Sequence, residues 1–265
     1  MREILSANNI KLHMNHDVPI HVFESIGSTN SFAVELAGQG AIHGTTIFAR
    51  SQTAGRGRLG RTFASPDSGI YMSIIMESAD QNPVLFTTAA AVAVCRAIEN
   101  ICDQKPGIKW VNDIYIHGKK ACGILAEAVT DHKSGQITHI VVGIGINCRS
   151  DAIPPELTDI AGAVEGDYSI NHLAAETVNQ LLNLTSDLSN SQFISEYKSR
   201  SIVLGKNITV YKGGFTPDKP GIPARVLDID NNGGLKVIYT DGSRETLSTG
   251  EISIRLQPSG ESDYE

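Results

Sequence analysis

The segment GRGRLGR at 55–61 sets the tightest limit on what this chain can fold into. Gly55, Gly57 and Gly60 satisfy G-x-G-x-x-G, a dinucleotide-binding fingerprint that needs a strand before it and a helix after it. A strand-like run, Thr45–Arg50, precedes it, and Glu77 stands near the spacing of a ribose-binding acid. The helix is missing. Only Arg61 to Gly69 separate the last glycine from the next strand-like run, Ile70–Met76, and Pro66, Asp67, Ser68 and Gly69 are turn formers. A parallel crossover needs about ten to twelve residues or more. The spacing argues against a doubly wound fold and for two strands joined by a long loop, Gln52–Ser68.

That loop reads as an anion site. Arg56, Arg58 and Arg61 are concentrated in a chain of net charge −7, and the interleaved glycines let backbone N–H groups approach a ligand. Guanidinium forks match phosphate oxygens and keep their charge at any working pH. A solvated basic loop is the competing reading. The acidic balance and the lack of an aromatic–basic stripe argue against a nucleic-acid surface. Apolar residues make up 41% of the 265 and charged residues 19%, as in a soluble globular chain. The longest fully apolar run, Ala89–Cys95, is seven residues, against the ~20 needed to span a bilayer. No signal peptide is evident, and Cys95, Cys102, Cys122 and Cys148 form no CxxC pair, so a reducing cytoplasm is the expectation.

The spacing predicts α+β organisation. Residues 1–19 carry no clear pattern and stay unassigned. A strand over Ile20–Phe23 leads into Ser28, Thr29 and Asn30, a capping cluster for a helix ending near Gly38. A long alanine-rich helix follows Pro83, over Leu85–Ile101. Strands are predicted at Asp113–Ile116, Ala121–Val129 and Ile140–Ile146, then helices at His172–Leu188 and Gln192–Arg200. After Leu204–Gly205 the texture changes to short strands at Ile208–Tyr211, Ala224–Ile229, Leu235–Tyr239, Glu245–Leu247 and Ile252–Arg255. Asn232–Gly233–Gly234 and Asp241–Gly242 are hairpin turns between them. A large domain over 20–202, a small all-β barrel over 203–256 and a disordered acidic tail over 257–265 are expected.

Two further segments carry chemistry. KWVND at 109–113 and KACGIL at 120–125 are spaced as hairpin arms, which brings Asn112, Asp113 and Lys120 to one end of the hairpin. Gly123 offers a place where a ligand can touch backbone. Trp110 reads as core. VVGIGIN at 141–147 reads as a buried strand ending in Gly145 and Asn147. The histidines show no metal-ligand spacing, so no metal ligands are assigned.

Taken in order, ESIGSTN at 24–30, Gln52 with GRGRLGR, KWVND, KACGILAE, VVGIGIN and the C-terminal GEISIR at 250–255 resemble the biotin–protein ligases over residues 20 to 256. The resemblance implies a mixed-sheet α+β catalytic domain of the biotin/lipoate ligase type with an SH3-like C-terminal barrel. It implies that biotin and Mg·ATP give biotinyl-5′-AMP, and that a lysine of a biotin carboxyl carrier domain then takes the biotin. Carried over residue by residue, Ser28, Thr29, Asn30 and Gln52 look like contacts to the biotin head group, with Arg56, Gly57, Arg58 and Gly123 along the ligand. Gly55, Arg58, Arg61, Phe63, Asn112 and Asn147 look like the nucleotide side. Lys120 resembles the lysine that contacts the carboxylate and α-phosphate, and Asp113 the aspartate beside the reacting centre, so Arg58, Lys120 and Asp113 are the expected catalytic set.

Val111 stands where the family often has proline, and Phe63 near where it often has tryptophan, keeping a stacking face without the N–H. Nineteen residues precede Ile20, too few for the winged helix of the family's repressor members, so a ligase without DNA binding, monomeric or homodimeric, is expected. A lipoate–protein ligase and a non-catalytic biotin- or nucleotide-binding module are the alternatives.

Overall fold

The computed structural model describes residues 3–77, 82–131, 133–188, 192–215, 218, 220–248 and 252–256. The expected tail, 257–265, lies outside the described residues. A short helix, α1 (Ala7–Lys11), forms in the segment that the sequence left unassigned, capped by Ser6. Strand β1 (Ile20–Ile26), helix α2 (Thr29–Gly38), β2 (Thr46–Gln52) and β3 (Gly69–Glu77) follow. Then come α3 (Pro83–Cys102), β4 (Gly107–Lys109), β5 (Asp113–Ile116), β6 (Lys119–Thr130) and β7 (Ile137–Asn147). Helices α4 (Ile170–Thr185) and α5 (Gln192–Ser199) complete the larger part.

The first seven strands make one sheet in the order β1-β2-β3-β7-β6-β5-β4. Only β1 and β2 run parallel; β2 and β3 are antiparallel, as a connection without a crossover helix requires. Period-two alternation sorts β7 into two faces: Ile140, Val142, Ile144 and Ile146 enter the main core with α3, while Val141 belongs to a second cluster with Ala33 and Ala37 of α2. Gly143 and Gly145 lie on the α2 face, which is therefore lowered where α2 begins. By length and composition α3 could cross a membrane, but 67% of its apolar window is buried within the protein. That share matches a core helix: Ala89 to Cys95 are all fully buried against the sheet, α4 and α5. The seven-residue apolar run thus understated the helix, because Thr87, Thr88 and Ala97 are buried with it.

Five further strands, β8 (Asn207–Lys212), β9 (Ile222–Ile229), β10 (Leu235–Tyr239), β11 (Arg244–Leu247) and β12 (Ile252–Leu256), form an antiparallel sheet in the order β11-β10-β9-β8-β12. Strands β11 and β12 are its two edges, so the pairing among the described residues is an open sheet rather than the closed barrel expected from the sequence. Its apolar face, Ile208, Val210, Val226, Leu235 and Val237, joins the main core without a break. Trp110 Nε1 donates to Gly233 O at 2.9 Å, and Lys198 pairs with Asp228 at 2.9 Å across the same joint.

Candidate functional site

A cleft of about 680 Å³ opens on the α2 face of the large sheet. Its neutral end is set by the start of α2. Ser28 caps that helix, accepting from the Ser31 N–H, and so fixes Thr29 and Asn30 against the lowered sheet. The Thr29 N–H and hydroxyl both donate to Gln52 Oε1, at 2.8 and 3.1 Å. The Ser73 hydroxyl lies 2.8 Å from Thr29 Oγ1 and 2.6 Å from Asn30 Oδ1. Asn30 Nδ2 donates to Glu127 Oε2 at 2.9 Å, and Gln52 Nε2 to Ser65 Oγ at 2.9 Å. Gly143 makes room for this array, since a Cβ there would lie 2.0 Å from Asn30 Oδ1. Ser28, Thr29, Asn30, Ser65 and Ser73 are all buried. A buried polar group without a partner costs roughly 1–3 kcal/mol, so this floor is stable because its members satisfy one another.

The arginine–glycine segment folds over the cleft as a narrow hairpin. Arg56 and Thr62 form an antiparallel bridge, the Gly57 N–H donates to Arg61 O at 2.7 Å, and the Phe63 N–H to Gly55 O at 2.9 Å. The long loop read from the sequence therefore has ordered backbone pairing of its own. Leu59, at its tip, adopts φ 58°, a left-handed conformation that costs a leucine roughly 1–2 kcal/mol. Arg56 pairs with Glu127 at 2.8 Å, so its charge is already matched by a carboxylate. The Phe63 ring covers two glycines of the sheet: a Cβ on Gly123 or Gly145 would come within 2.8 or 2.6 Å of it.

At the charged end, a bulge in the β5–β6 ladder decides where Lys120 points. Ile114 pairs with Cys122 but Tyr115 with Lys120, leaving Ala121 as an extra residue. Ala121 and Cys122 are both buried, and Lys120 turns back to the cleft side with Gly123. Its Nζ lies 2.6 Å from Asp113 Oδ1 in an ion pair, yet that oxygen has no aligned hydrogen bond. Arg58 Nη1 donates to Asn112 Oδ1 at 3.2 Å, while Asn112 Nδ2 donates to Ile124 O at 2.8 Å. Burial disfavours the charge of Arg58, and Asp113 opposes that effect. Lys109 is likewise pushed below the usual lysine range, first by burial, with Lys120, Arg255 and Arg61 adding repulsion against the pull of Asp113. Beyond Asn147, whose Nδ2 donates to Gly162 O at 2.9 Å, the segment 150–161 supplies apolar lining through Ile153, Leu157 and Ile160.

The structure brings Ser28, Thr29, Asn30, Gln52, Arg56, Gly57 and Arg58 together with Arg61, Phe63, Asn112, Asp113, Lys120, Gly123 and Asn147 around this one cleft. Gly55 is the exception. It is buried behind the hairpin, where a Cβ would lie 2.4 Å from Phe63 O, so its place is structural rather than in the cleft lining. Sequence reasoning missed Lys109, Tyr115, Arg149, Phe215 and the apolar 150–161 segment of the lining, and Ser73, which is fully buried beneath Thr29 and Asn30. Ser73 had a visible signal, as a small hydroxyl residue in an otherwise apolar stretch, Met72–Met76, of β3; the 150–161 segment had none, because it is irregular.

The sequence and the fold have known counterparts. The profile of the Biotin/lipoate A/B protein ligase family matches residues 22–147. The "Bifunctional ligase/repressor BirA" of Bacillus subtilis is 32% identical over 235 residues, covering 81% of this chain and 70% of that one. The "Biotin--[acetyl-CoA-carboxylase] ligase" of Mycobacterium tuberculosis is 30% identical over 246 residues, covering 88% of each. A BirA from Bacillus spizizenii is 44% identical over 140 residues, a match spanning 43% of that protein. The Aquifex aeolicus biotin protein ligase solved with biotin and ATP superposes with a TM-score of 0.76 at 24% identity, covering 90% of this chain and 99% of that one. The class is thus the biotin/lipoate protein ligases. Within it, this chain belongs to the biotin protein ligase family.

Proposed function

We propose that the chain joins biotin to ATP as biotinyl-5′-AMP and then passes the biotin to a lysine of a biotin carboxyl carrier domain. The observation that carries this reading is the division of one cleft into a neutral hydrogen-bonding floor and a cationic end, with Lys120 and Asp113 at the latter. A ureido ring is neutral and needs both donors and acceptors, which Thr29, Asn30 and Gln52 offer, with Ser73 holding Thr29 and Asn30 from beneath. The Aquifex aeolicus relative is described with biotin and ATP, and the Leishmania major relative with biotinyl-5-AMP. We read the C-terminal sheet as the family's SH3-like unit, with its boundary near residue 203. The four free cysteines suit a reducing cytoplasm.

In the first step a carboxylate oxygen of biotin attacks the α-phosphorus and pyrophosphate leaves. Two anions must meet, and at ~4 Å and an effective dielectric near 20 each cation–anion contact is worth about 4 kcal/mol before desolvation. Lys120 and Arg58 supply that compensation. Among the described residues no three His, Cys, Asp or Glu side chains cluster as a metal site. Mg²⁺ accordingly belongs to the reading as part of Mg·ATP, held chiefly by phosphate oxygens. In the second step the carrier lysine attacks the acyl carbon, AMP leaves, and the amine loses a proton. Asp113 is placed to orient that amine and take the proton once Lys120 is engaged by phosphate. Incubation with biotin, Mg·ATP and a carrier domain should add one biotin to the carrier, read by mass. Pyrophosphate exchange driven by lipoate rather than biotin would make it a lipoate ligase; ligand binding with no exchange would make it a binding module.

A further inference from the structure

Glu127 of β6 does not line the cleft, yet it holds two residues that do. Strand β6 pairs with β7 so that Gly123, Leu125 and Glu127 stand opposite Gly145, Gly143 and Val141, which puts all three on the α2 face. Glu127 is therefore a carboxylate beside the apolar cluster of Val141, and its side chain is only 23% exposed. A charge withdrawn from water to that extent needs partners. Its Oε1 takes Arg56 of the arginine–glycine hairpin at 2.8 Å, and its Oε2 takes Asn30 Nδ2 at the start of α2 at 2.9 Å. One carboxylate thus ties the hairpin above the cleft to the floor beneath it.

The contact to Asn30 also has a direction. A carboxylate only accepts, and so does Leu125 O, 3.4 Å from the same Nδ2. The Asn30 amide accordingly turns its NH2 to β6 and its oxygen to the Ser73 hydroxyl, at 2.6 Å. Ser73 has one proton to give, and Thr29 gives its own to Gln52 Oε1. Glu127 is the acceptor at the end of this array, so it decides which way round the Asn30 amide sits. We propose that Glu127 is a positioning residue for the head group of the acid substrate, holding the Asn30 amide in one orientation and Arg56 above it. The proposal rests on the ligase reading above, in which Asn30 and Arg56 meet biotin. A ureido ring pairs with a fixed set of donors and acceptors, and an amide that turns over presents the opposite set. Glu127 thereby acts on recognition of the acid and has no part in the phosphate chemistry.

The test compares Glu127→Ala, Glu127→Gln and Arg56→Met in the full chain. Glu127→Ala loses both contacts, so its affinity for biotin by calorimetry should fall about ten- to a hundredfold. The KM for biotin in pyrophosphate exchange should rise by the same factor, and the KM for Mg·ATP at saturating biotin by no more than about twofold. Glu127→Gln keeps an oxygen that accepts from Asn30 but has no charge for Arg56, and should cost biotin only about three- to tenfold. Arg56→Met combined with Glu127→Ala should cost less than the product of the two single losses. Trypsin cleavage after Arg58 and Arg61 in the absence of any ligand should be at least about threefold faster in both Glu127 variants. That last readout stands whichever acid is the substrate. Biotin affinity near wild type in Glu127→Ala, equal losses for biotin and Mg·ATP, full additivity with Arg56→Met, or unchanged hairpin cleavage would overturn the proposal. Faster hairpin cleavage in the variants of a protein whose wild type neither binds biotin nor exchanges pyrophosphate with it would instead overturn the ligase reading and leave the tie between hairpin and floor standing.

Discussion

At the α2 end of the cleft, Thr29, Asn30, Gln52, Ser65 and Ser73 are hydrogen-bonded to one another before any ligand arrives. At the other end, Arg58, Arg61, Lys109, Lys120 and Arg255 line the cleft, and among the described residues of the lining the one carboxylate is Asp113. The first arrangement is cheap to keep and selective, because a ligand must replace or extend bonds that already exist. The second gathers positive charge in one place, which favours whatever brings phosphates. Even the Lys120–Asp113 contact is incomplete, with Asp113 Oδ1 near the ammonium but lacking an aligned hydrogen bond. One end is therefore closed by its own hydrogen bonds, and the other keeps its cations close together.

That contrast breaks most sharply at Lys120. Lys120→Ala removes the cation that the proposed reaction assigns to the carboxylate and α-phosphate, and losing one such electrostatic contact costs about 10²–10³ in rate. Biotin-dependent pyrophosphate exchange should fall by that order, a larger loss than any fall in biotin affinity by calorimetry, because the neutral end is left intact. Exchange within tenfold of wild type would place the decisive charge elsewhere.

Arg58→Ala should act on retention instead. Losing one charge-assisted contact to phosphate costs roughly 1.5–3 kcal/mol, so the adenylate should escape about ten to a hundred times faster. Free biotinyl-5′-AMP and biotin on bystander lysines should rise in this variant and fall in Lys120→Ala. Equal loss of synthesis in both, with no released intermediate, would merge the two roles.

Much of this was legible in residue order, and the exceptions have physical causes. Ser28–Thr29–Asn30 announced a capped helix because capping chemistry is local. The hairpin spacing placed Asp113 and Lys120 together, although the bulge at Ala121 that turns Lys120 into the cleft left no composition signal. The lack of a crossover helix was readable, because only Arg61 to Gly69 lie between the last glycine of the motif and the next strand, and the structure pairs β2 with β3 antiparallel. Arg56 was assigned to ligand, but its pairing with Glu127 depends on the register of β6, which sequence spacing does not fix. Gly55 counted as a ligand contact by motif position, yet its packing under Phe63 depends on how the hairpin closes. Tertiary contacts between distant segments, such as Arg255 on Phe215 or Ser73 under Asn30, have no local code at all.

The neutral end can be sharpened with Gly143→Ala. The new Cβ would lie 2.0 Å from Asn30 Oδ1, so either Asn30 or the β7 backbone must move. Overpacking of this kind costs about 1–3 kcal/mol. Biotin affinity should fall by up to about a hundredfold while pyrophosphate binding changes little. Parallel losses of both would mean that the two ends are mechanically one unit.

The smallest effect tests the joint beneath the charged end. Trp110→Phe keeps an aromatic ring in a site where tryptophan is only 4% exposed, but it removes the Nε1–H that donates to Gly233 O. A buried carbonyl left without its donor costs roughly 1–3 kcal/mol, which thermal unfolding should register. Gly233 stands in the β9–β10 turn, where a Cβ would lie 2.8 Å from Val84 Cγ1 of α3, so the turn is seated by packing as well as by this bond. The C-terminal sheet should therefore stay docked, and the KM for Mg·ATP should rise no more than about threefold, because that sheet supplies Arg255 but not Lys120. Biotin affinity should be unchanged, since the floor around Asn30 shares no hydrogen bond with this joint. A rise in the nucleotide KM of more than about tenfold would show that the Trp110 bond, rather than the packing of the turn, holds the C-terminal sheet in place.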